Sequence, residues 1–301
     1  MQFVVYEHPL SGGHSNRLGI IDADVVTDVT DLVNASGQGP DGPLVALLEH
    51  GYDPTLFTQA RIANQPQQAL DQVSLQAPLP RPGKIIGAPV NYLDHKAEMS
   101  VTQTIADLGI FLKANSSVIG PGGLVRLPYL DKRTDQEAEL AVVIGRTARN
   151  ISAGEALDYV FGYTCALDIT VRSTEDRSTR KSFDTFTPLG PSIVTTDEIG
   201  DPHNLELRCW VNGVLRQQGN TRDLIFDVAN LIAYTSSVMT LWPGDVFLTG
   251  TPAGVGPITE GDQVTVGIEK IGKLTVTVSS EGAIPYDARP GPLHIRHIRA
   301  Q

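Results

Sequence analysis

The chain has 301 residues, with 34 acidic against 23 basic side chains and a formal net charge of -11 at pH 7. Nucleic acids and anionic membranes attract basic surfaces, so this charge argues against both as partners. No apolar stretch reaches the ~20 residues needed to cross a bilayer, and the first residues do not resemble a secretory signal. Two distant cysteines, Cys165 and Cys209, are typical of reduced thiols in an intracellular protein. We therefore expect a soluble, cytoplasmic protein that acts on a small molecule.

Short apolar runs separated by glycine and proline predict a chain rich in β-strands with some helices. Residues 1–75 combine strand-like runs such as FVVYEH with helix-like stretches at 43–51 and 54–73, which predicts a small N-terminal α+β domain. Three prolines within residues 76–83 predict an extended linker. Residues 84–301 carry the remaining strand-like runs and are predicted to form the catalytic domain.

The predicted catalytic domain has many strand-like runs and few long helices. The segment SAGEALDYV, residues 152–160, is predicted to be a helix. Asn212 and Gly213 lie between two strand-like runs and predict the turn of a β-hairpin. The pattern indicates an α+β, mainly β fold whose larger domain wraps into a roll or barrel.

Three acidic residues form a candidate metal site: Glu137 and Glu139 in EAELAVVIG, and Asp168 in ALDITVR. Residues two apart in a strand share a face, with Cα atoms roughly 6.6 Å apart, so the two glutamates can converge on one ion. The strand that they open is apolar and should be buried, where carboxylates rarely go unpaired. Oxygen ligands without His or Cys favour Mg²⁺ or Mn²⁺, with Ca²⁺ as an alternative. The other interpretation is an edge strand whose acidic side chains face water.

His95 and Glu98 form a candidate catalytic pair. If DHKAEM is helical, these residues lie at positions i and i+3 on one side, where the carboxylate can orient the imidazole. His95 would then be a general base that activates water. The spacing by itself fits an ordinary surface helix better, so both interpretations stay open at this point.

A group of basic residues could bind a substrate carboxylate near the metal. Its members are Lys113 in GIFLKANSS, Arg172 at the end of ALDITVR, and Lys181 in RKSFDTF. Arginine is especially suited to bidentate recognition of carboxylates. The alternative for each is an ordinary salt bridge, and for Lys113 a side chain that extends to solvent.

The segment TGTPAGVG, residues 249–256, follows an apolar strand. Its glycines and threonines, Gly250 and Thr251 among them, can offer backbone N–H groups and hydroxyls to an anion. The segment is not a Walker loop, because it lacks the Gly-Lys-Ser/Thr ending. A tight turn at the end of a strand is the alternative interpretation.

Read together and in order, several segments resemble the fumarylacetoacetate hydrolase family, including its fumarylpyruvate and acylpyruvate hydrolases and its hydroxyheptadienedioate isomerase-like members. The resemblance covers roughly residues 84–278. The segments that carry it are KIIGAPVNYLDHKAEM, FLKANSSVIGP, EAELAVVIGR, ALDYVFGYTCALDITVR, KSFDTFTPLGPSIVT, VNGVLRQQGNT, PGDVFLTGTPAGVG and GDQVTVGIEKIGKL.

This resemblance implies a distorted β-roll that is usually a homodimer, with Mg²⁺ or Mn²⁺ and a 2-oxo acid substrate. It also implies that His95 and Glu98 act as a dyad on a mobile lid. The residues that match the metal ligands are Glu137, Glu139 and Asp168. The residues that match the substrate contacts are Arg172, Lys181 and Thr251.

One segment, residues 172–181, departs from the pattern of the family. It is short, it contains no tryptophan, and Glu175 stands where a glutamine is usual. The resemblance therefore does not carry the identity of the substrate.

The leading hypothesis is metal-dependent hydrolysis of a carbon–carbon bond in an acylpyruvate-like 2,4-dioxo acid, as in aromatic or sugar-acid catabolism, through a metal-stabilised enolate. His95, oriented by Glu98, would activate water, while Lys181 and Arg172 balance the charge. The close alternative is an isomerase of a hydroxymuconate-type dienoate, or an oxo-acid decarboxylase, at the same site. A noncatalytic protein that binds an oxo acid is the third hypothesis.

Overall fold

The computed structural model of the chain describes residues 1–7, 16–33 and 42–290. Twenty strands lie within these residues: β1 Gln2–Glu7, β2 Asn16–Asp22, β3 Val25–Asp28, β4 Gln67–Ala69, β5 Ser74–Gln76, β6 Ile85–Gly87, β7 Phe111–Lys113, β8 Val118–Ile119, β9 Leu124–Arg126, β10 Thr134–Gln136, β11 Ala138–Ile144, β12 Val160–Leu167, β13 Thr170–Val171, β14 Thr187–Thr195, β15 Glu206–Val211, β16 Val214–Asn220, β17 Val246–Leu248, β18 Gly256–Pro257, β19 Gln263–Ile268 and β20 Gly272–Ser279.

The α-helices in the same residues are mostly a single turn long. They are α1 Pro43–Glu49, α2 Gln59–Ile62, α3 Leu93–Glu98, α4 Ile105–Leu108, α5 Arg177–Arg180, α6 Thr196–Ile199 and α7 Val228–Val238. Many strands with few helices confirm the predicted α+β, mainly β fold class. No helix in the described part of the chain is both long and apolar enough to span a bilayer.

One large sheet organises the molecule, and its strands run in the order β4-β3-β2-β1-β14-β12-β11-β17-β6-β7. Two short strands add to its sides, because β5 pairs with β1 and β8 pairs with β14. A second sheet has the order β16-β15-β19-β20-β9, and β13-β10-β18 form a small third sheet. The predicted hairpin at Asn212 and Gly213 joins β15 to β16, and both turn residues have positive φ, at 53° and 77°.

Strand β11 lies inside the large sheet, between β12 and β17, and is buried on both faces. Its residues Leu140 and Val142 belong to the core that the large sheet shares with the second sheet. Its residues Ala141 and Val143 face the opposite core, together with Phe3 of β1. This double burial explains the continuous apolar run of β11 and fixes the position of the acidic residues at its start.

The N-terminal residues belong to the same sheet as the catalytic strands. Strand β1 pairs with β14, with Gln2 opposite Val194. In the segment 76–83, Leu79 is fully buried in the core that also contains Phe3. The division into a 1–75 domain, a 76–83 linker and an 84–301 domain stays a prediction, and residues 291–301 lie outside the described residues.

Two of the predicted helices are wrong in extent. Residues 54–73 form a 3₁₀ turn, the short helix α2 and then β4, because Pro66 ends the helical pattern and Gln67–Ala69 pair with β3. Residues 152–160 are helical only at Ala156–Tyr159, as a 3₁₀ helix. Pairing in the sheet takes over at Val160, where β12 begins.

Candidate metal and catalytic site

The backbone brings the three predicted metal ligands together at the ends of two paired strands. Glu137 lies just before β11, Glu139 lies within it, and Asp168 directly follows the antiparallel partner β12. The Asp168 N–H donates to the Glu137 carbonyl over 2.8 Å, which extends the pairing past the last strand residue. Carboxylate oxygens of the three residues lie within 4.8 Å of one another, and all three side chains are buried.

Basic side chains make ion pairs with two of these carboxylates, those of Glu137 and Asp168. The Lys181 Nζ donates to Glu137 Oε2 over 2.7 Å and to Asp168 Oδ2 over 2.5 Å. Arg172 Nη2 donates to Glu137 Oε1 over 2.7 Å, and Lys113 Nζ donates to Asp168 Oδ1 over 2.5 Å. Burial opposes ionisation of Glu137, but the charges of Lys181 and Arg172 outweigh it and lower the pKa of Glu137 to about 2. Both carboxylates are therefore fixed in position, and Glu137 is held in its charged form.

The negative charge of Glu139 has far fewer compensating partners than the charges of the other two carboxylates. Its Oε2 accepts a hydrogen bond of 2.6 Å from the Gly250 N–H. Within the described residues, no basic side chain makes a salt bridge with it. Burial, followed by the negative charges of Asp168 and Glu137, raises the pKa of Glu139 well above its ordinary value of 4.5.

These observations test whether a divalent cation fits the site. Three buried carboxylates lie at this distance, and one of them, Glu139, has a raised pKa and no salt-bridge partner among the described residues. The ligand atoms are oxygens, which Mg²⁺ and Mn²⁺ prefer. A cation beside Glu139 would supply the missing charge, so the residues present fit Mg²⁺ or Mn²⁺.

The predicted pair His95 and Glu98 lies on helix α3, as the i and i+3 spacing requires. His95 Nδ1 is 3.0 Å from Glu98 Oε2, and the other carboxylate oxygen of Glu98 accepts from the Gly254 N–H over 3.0 Å. His95 is only 6% exposed, which argues against the surface-helix interpretation. With Nδ1 bonded to a fixed carboxylate, Nε2 is the ring nitrogen left to exchange a proton.

The loop 249–256 serves the site mainly through its backbone. Gly250 has a φ of 102°, and a Cβ there would lie 2.7 Å from the Cβ of Asn91, so the position requires glycine. Its N–H is directed at Glu139. The Thr251 hydroxyl donates to the Ala138 carbonyl over 2.8 Å. Both groups thus have protein partners, and the predicted contacts of Gly250 and Thr251 with a substrate stay predictions.

Lys113 lies beside Asp168 and does not extend to solvent, which was the alternative interpretation of its sequence. Its side chain is fully buried, and its Nζ donates to Asp168 and, over 2.9 Å, to the Phe186 carbonyl. Burial lowers the pKa of Lys113 and the neighbouring Asp168 raises it, with burial the larger influence. This arrangement favours a role in orienting Asp168 over the predicted contact with a substrate.

Three supporting side chains escaped the sequence analysis. Asp135 accepts from Arg172 Nε over 2.7 Å, and Gln217 donates to the Thr251 hydroxyl over 2.7 Å. Asn91 donates to the Thr249 carbonyl over 2.8 Å and so holds the loop. The alternation that selected Glu137 and Glu139 also includes Asp135 and could have identified it, whereas Asn91 and Gln217 depend on contacts distant in the chain.

The predicted metal ligands and His95 lie at one cavity of about 130 Å³. The triad, His95, Arg172 and Lys181 line it, and Val101 and Phe111 add an apolar wall. The volume suits a small molecule. His95 and the candidate cation site therefore lie at the same small cavity.

The family model described as fumarylacetoacetate (FAA) hydrolase C-terminal matches residues 84–279, which is more than half of the chain. The chain belongs to the fumarylacetoacetate hydrolase family. The resemblance stated from the sequence is thereby confirmed, and the matched range begins at the residue where the catalytic domain was predicted to begin.

Relatives within the fumarylacetoacetate hydrolase family include hydrolases and isomerases. Maleylpyruvate hydrolase of Aquipseudomonas alcaligenes is 44% identical over 286 residues, which cover 89% of this chain and 98% of the relative. The crystal structure of maleylpyruvate hydrolase from Sphingobium sp. SYK-6 with manganese(II) and pyruvate has a TM-score of 0.82 at 38% identity, covering 95% of this chain and 100% of that chain. The 2-hydroxyhepta-2,4-diene-1,7-dioate isomerase of Mycobacterium marinum has a TM-score of 0.71 at 32% identity, covering 93% and 98%.

Proposed function

We propose that this protein is a hydrolase that uses Mg²⁺ or Mn²⁺ to cleave a carbon–carbon bond of an acylpyruvate. The observation that carries the proposal is the His95–Glu98 pair at the cavity that holds the acidic triad. Binding of an oxo acid would not by itself need a base held by a carboxylate, so this pair argues against a noncatalytic role. The maleylpyruvate hydrolases among the relatives, one of them with manganese and pyruvate bound, support the same reaction.

The carbon–carbon bond would break after attack by water on the acyl carbonyl. His95 Nε2 takes a proton from the water as the oxygen bonds to the C4 carbonyl carbon. The C3–C4 bond then breaks, its electron pair forms the enolate of pyruvate, and the proton held by His95 returns to C3. Glu98 keeps the Nδ1–H of His95 oriented and stabilises the imidazolium that forms between these steps.

The residues Glu137, Glu139 and Asp168 would hold the cation, which supplies Lewis-acid stabilisation of the developing enolate charge when bound. Lys181 keeps two of these carboxylates in place and contributes positive charge at the cavity. Arg172 fixes Glu137 from the other side, with its own position set by Asp135. Lys113 orients Asp168.

A second candidate function, tautomerisation of a dienoate, is favoured by the isomerase among the relatives. The same enolate can form when a base removes a proton from carbon, with no attack by water. Decarboxylation of an oxo acid would also pass through such an enolate.

Analysis of the products distinguishes these reactions. The Mn²⁺-loaded protein is incubated with maleylpyruvate and, separately, with oxaloacetate, and the products are identified by NMR. Hydrolysis predicts pyruvate and maleate in equal amounts. A single isomeric product from maleylpyruvate, or release of carbon dioxide from oxaloacetate without cleavage of maleylpyruvate, would overturn the proposal.

We also propose that the protein is a cytoplasmic homodimer. Exposed apolar side chains support a second copy of the chain, since Tyr234 and Val238 lie one turn apart on α7 with 41% and 51% exposure and Trp242 follows with 55%. The unpaired, buried thiols Cys165 and Cys209 suit a reducing compartment. Light scattering coupled to size exclusion tests the dimer, which a mass of one 32.3 kDa chain would contradict.

A further inference from the structure

The side chain of Gln217 lies between the strand of the metal ligands and the loop 249–256. Gln217 belongs to β16 of the second sheet and is fully buried. Its Oε1 accepts from the Ala138 N–H over 3.0 Å, and its Nε2 donates to the Thr251 hydroxyl over 2.7 Å and to the Pro252 carbonyl over 2.8 Å. The amide thus uses its carbonyl oxygen and both of its N–H groups within the protein.

Ala138 is the residue between the two glutamates of the triad, and both of its backbone polar groups are bonded to this link. Its N–H donates to Gln217 directly, and its carbonyl accepts from the Thr251 hydroxyl over 2.8 Å. On this side of β11, β17 pairs only with residues 141–143. Since buried backbone groups need partners, the side chains of Gln217 and Thr251 take the place of a paired strand at Ala138.

The loop that Gln217 holds contacts both halves of the site. The Gly250 N–H donates to Glu139 over 2.6 Å, and the Gly254 N–H donates to Glu98 over 3.0 Å. A shift of the loop relative to β11 would move these two donors away from their carboxylates. The link through Gln217 therefore fixes a metal ligand and the partner of the general base in one frame.

Glu139 depends on this frame more than the other two ligands do. Glu137 and Asp168 are each held by an ion pair with Lys181. In the described part of the chain no salt bridge holds Glu139, so its direction depends on the Gly250 N–H. Displacement of the loop would therefore affect Glu139 first.

We propose that Gln217 is a positioning residue of the metal site, which fixes Ala138 and the loop 249–256 to each other so that Glu139 is directed at the cation. The inference rests on the cation site of the proposed function. Gln217 is not among the residues that line the cavity, so its influence passes through Ala138 and Thr251. Replacing a residue that orients metal ligands typically costs about 10- to 100-fold in metal affinity or activity.

Titration calorimetry with Mn²⁺ alone tests the inference without turnover. Gln217→Met keeps the length of the side chain and removes its three hydrogen bonds. We expect it to weaken Mn²⁺ binding by about 10- to 100-fold, at a temperature where circular dichroism shows the variant and the wild type to be folded. The electron paramagnetic resonance spectrum of Mn²⁺ at saturation should also change, because it reports the geometry of the ligands.

Thr221→Val is the matched control. Thr221 directly follows β16 and is 1% exposed, and its hydroxyl donates to the Pro202 carbonyl over 2.7 Å and accepts from the Leu205 N–H over 2.9 Å. Loss of these bonds should lower the melting temperature and leave the affinity and the spectrum of Mn²⁺ unchanged. A purely structural role predicts the same result for Gln217→Met, and that result would overturn the inference.

Two variants of Thr251 test the link at its second member. Thr251→Val removes the bond to the Ala138 carbonyl and the bond from Gln217, so we expect a smaller loss of Mn²⁺ affinity than for Gln217→Met. Thr251→Ser keeps the hydroxyl and should retain the affinity of the wild type. This pair decides the question if Gln217→Met does not fold, and wild-type Mn²⁺ affinity in Thr251→Val would then overturn the inference.

These measurements separate the inference from the proposed reaction, because Mn²⁺ binding is measured without a substrate. Weaker Mn²⁺ binding by Gln217→Met, together with no cleavage of maleylpyruvate by the wild type, would support the role of Gln217 and contradict hydrolysis. Cleavage by the wild type, together with unchanged Mn²⁺ affinity in Gln217→Met, would do the reverse.

Discussion

Two buried acidic sites of this protein differ in how fully neighbouring groups compensate their negative charge. In the N-terminal region, Asp28 is 4% exposed and accepts from the Tyr6 hydroxyl over 2.7 Å, from Arg17 and, over 3.0 Å, from the Thr30 N–H. Burial alone would raise the pKa of Asp28, but these partners outweigh burial and the pKa is lowered from 3.8. Partners within the protein thus supply the hydrogen bonds and the positive charge that stabilise the ionised Asp28.

The charge of the acidic triad is only partly compensated. Lys181, Arg172 and Lys113 pair with two of its carboxylates, whereas the pKa of Glu139 stays raised. This contrast distinguishes a carboxylate with a structural role from one that holds a ligand. Burial is common to both clusters and does not distinguish them. What distinguishes them is whether the partners already present satisfy the charge.

The largest expected effect comes from the base beside the triad. His95→Ala should lower kcat for acylpyruvate hydrolysis by about 100- to 10,000-fold, because general-base catalysis contributes on this order. Mn²⁺ affinity measured by calorimetry should stay within about twofold, since His95 is not a proposed ligand. Lys96→Ala on the same helix is the matched control and should retain wild-type kcat. Wild-type turnover by the His95 variant would refute its role.

Glu139→Gln tests whether the carboxylate of Glu139 is kept for a cation. We expect Mn²⁺ affinity to fall by about 10- to 100-fold or more, because one charged ligand is lost. The metal-free variant should melt at the same or a higher temperature than the metal-free wild type, because a neutral amide can keep the bond from Gly250 while removing a poorly compensated charge. A metal-free melting temperature several degrees lower would show that Glu139 is structurally satisfied.

Asp28→Asn provides the contrasting result in the other cluster. Removal of the charge should cost about 1–3 kcal/mol of unfolding free energy, because Arg17 and Tyr6 lose a charged partner. Mn²⁺ binding should not change. Urea denaturation measures the first quantity, and calorimetry measures the second.

The same carboxylate gives a pH dependence. Its folded-state pKa lies below the ordinary value of 3.8, so the stability that it contributes is present above pH 3.8 and is lost as the pH falls through the folded-state value. The difference in stability between wild type and Asp28→Asn should therefore shrink below pH 3.8. A difference that grows at acid pH would contradict this assignment.

The smallest effect is expected for Tyr6→Phe. This change removes one hydrogen bond to Asp28 and leaves Arg17 in place, so we expect a loss of about 0.5–1.5 kcal/mol in urea denaturation. A loss as large as that of Asp28→Asn would show that the tyrosine, rather than the arginine, compensates the carboxylate.

The sequence predicted those parts of the site that follow from local periodicity. The spacing of Glu137 and Glu139 follows from the strand period, and that of His95 and Glu98 from the helical turn. Asp168 was selected by its strand pattern and is brought to Glu137 by the pairing of β11 with β12. The fold class and the family were also readable from the chain.

Features that depend on tertiary contacts were not predictable in this way. The burial of Lys113 behind Asp168 and the direction of the Gly250 N–H follow from segments far apart in the chain. Residues 54–73 have a helix-like composition, yet Gln67–Ala69 pair with β3 because the sheet outweighs local propensity. The cavity position of Arg180 is likewise set by the packing of α5.

One titration tests whether the acidic triad, with its incompletely compensated Glu139, holds the cation on which hydrolysis depends. Mn²⁺ is added in steps to metal-free protein in the presence of maleylpyruvate, and pyruvate release is followed at each step. We expect no release of pyruvate without metal, a rise in release that saturates near one Mn²⁺ per chain, and no comparable rise for Glu139→Gln. Full release of pyruvate in the presence of a chelator would contradict this expectation.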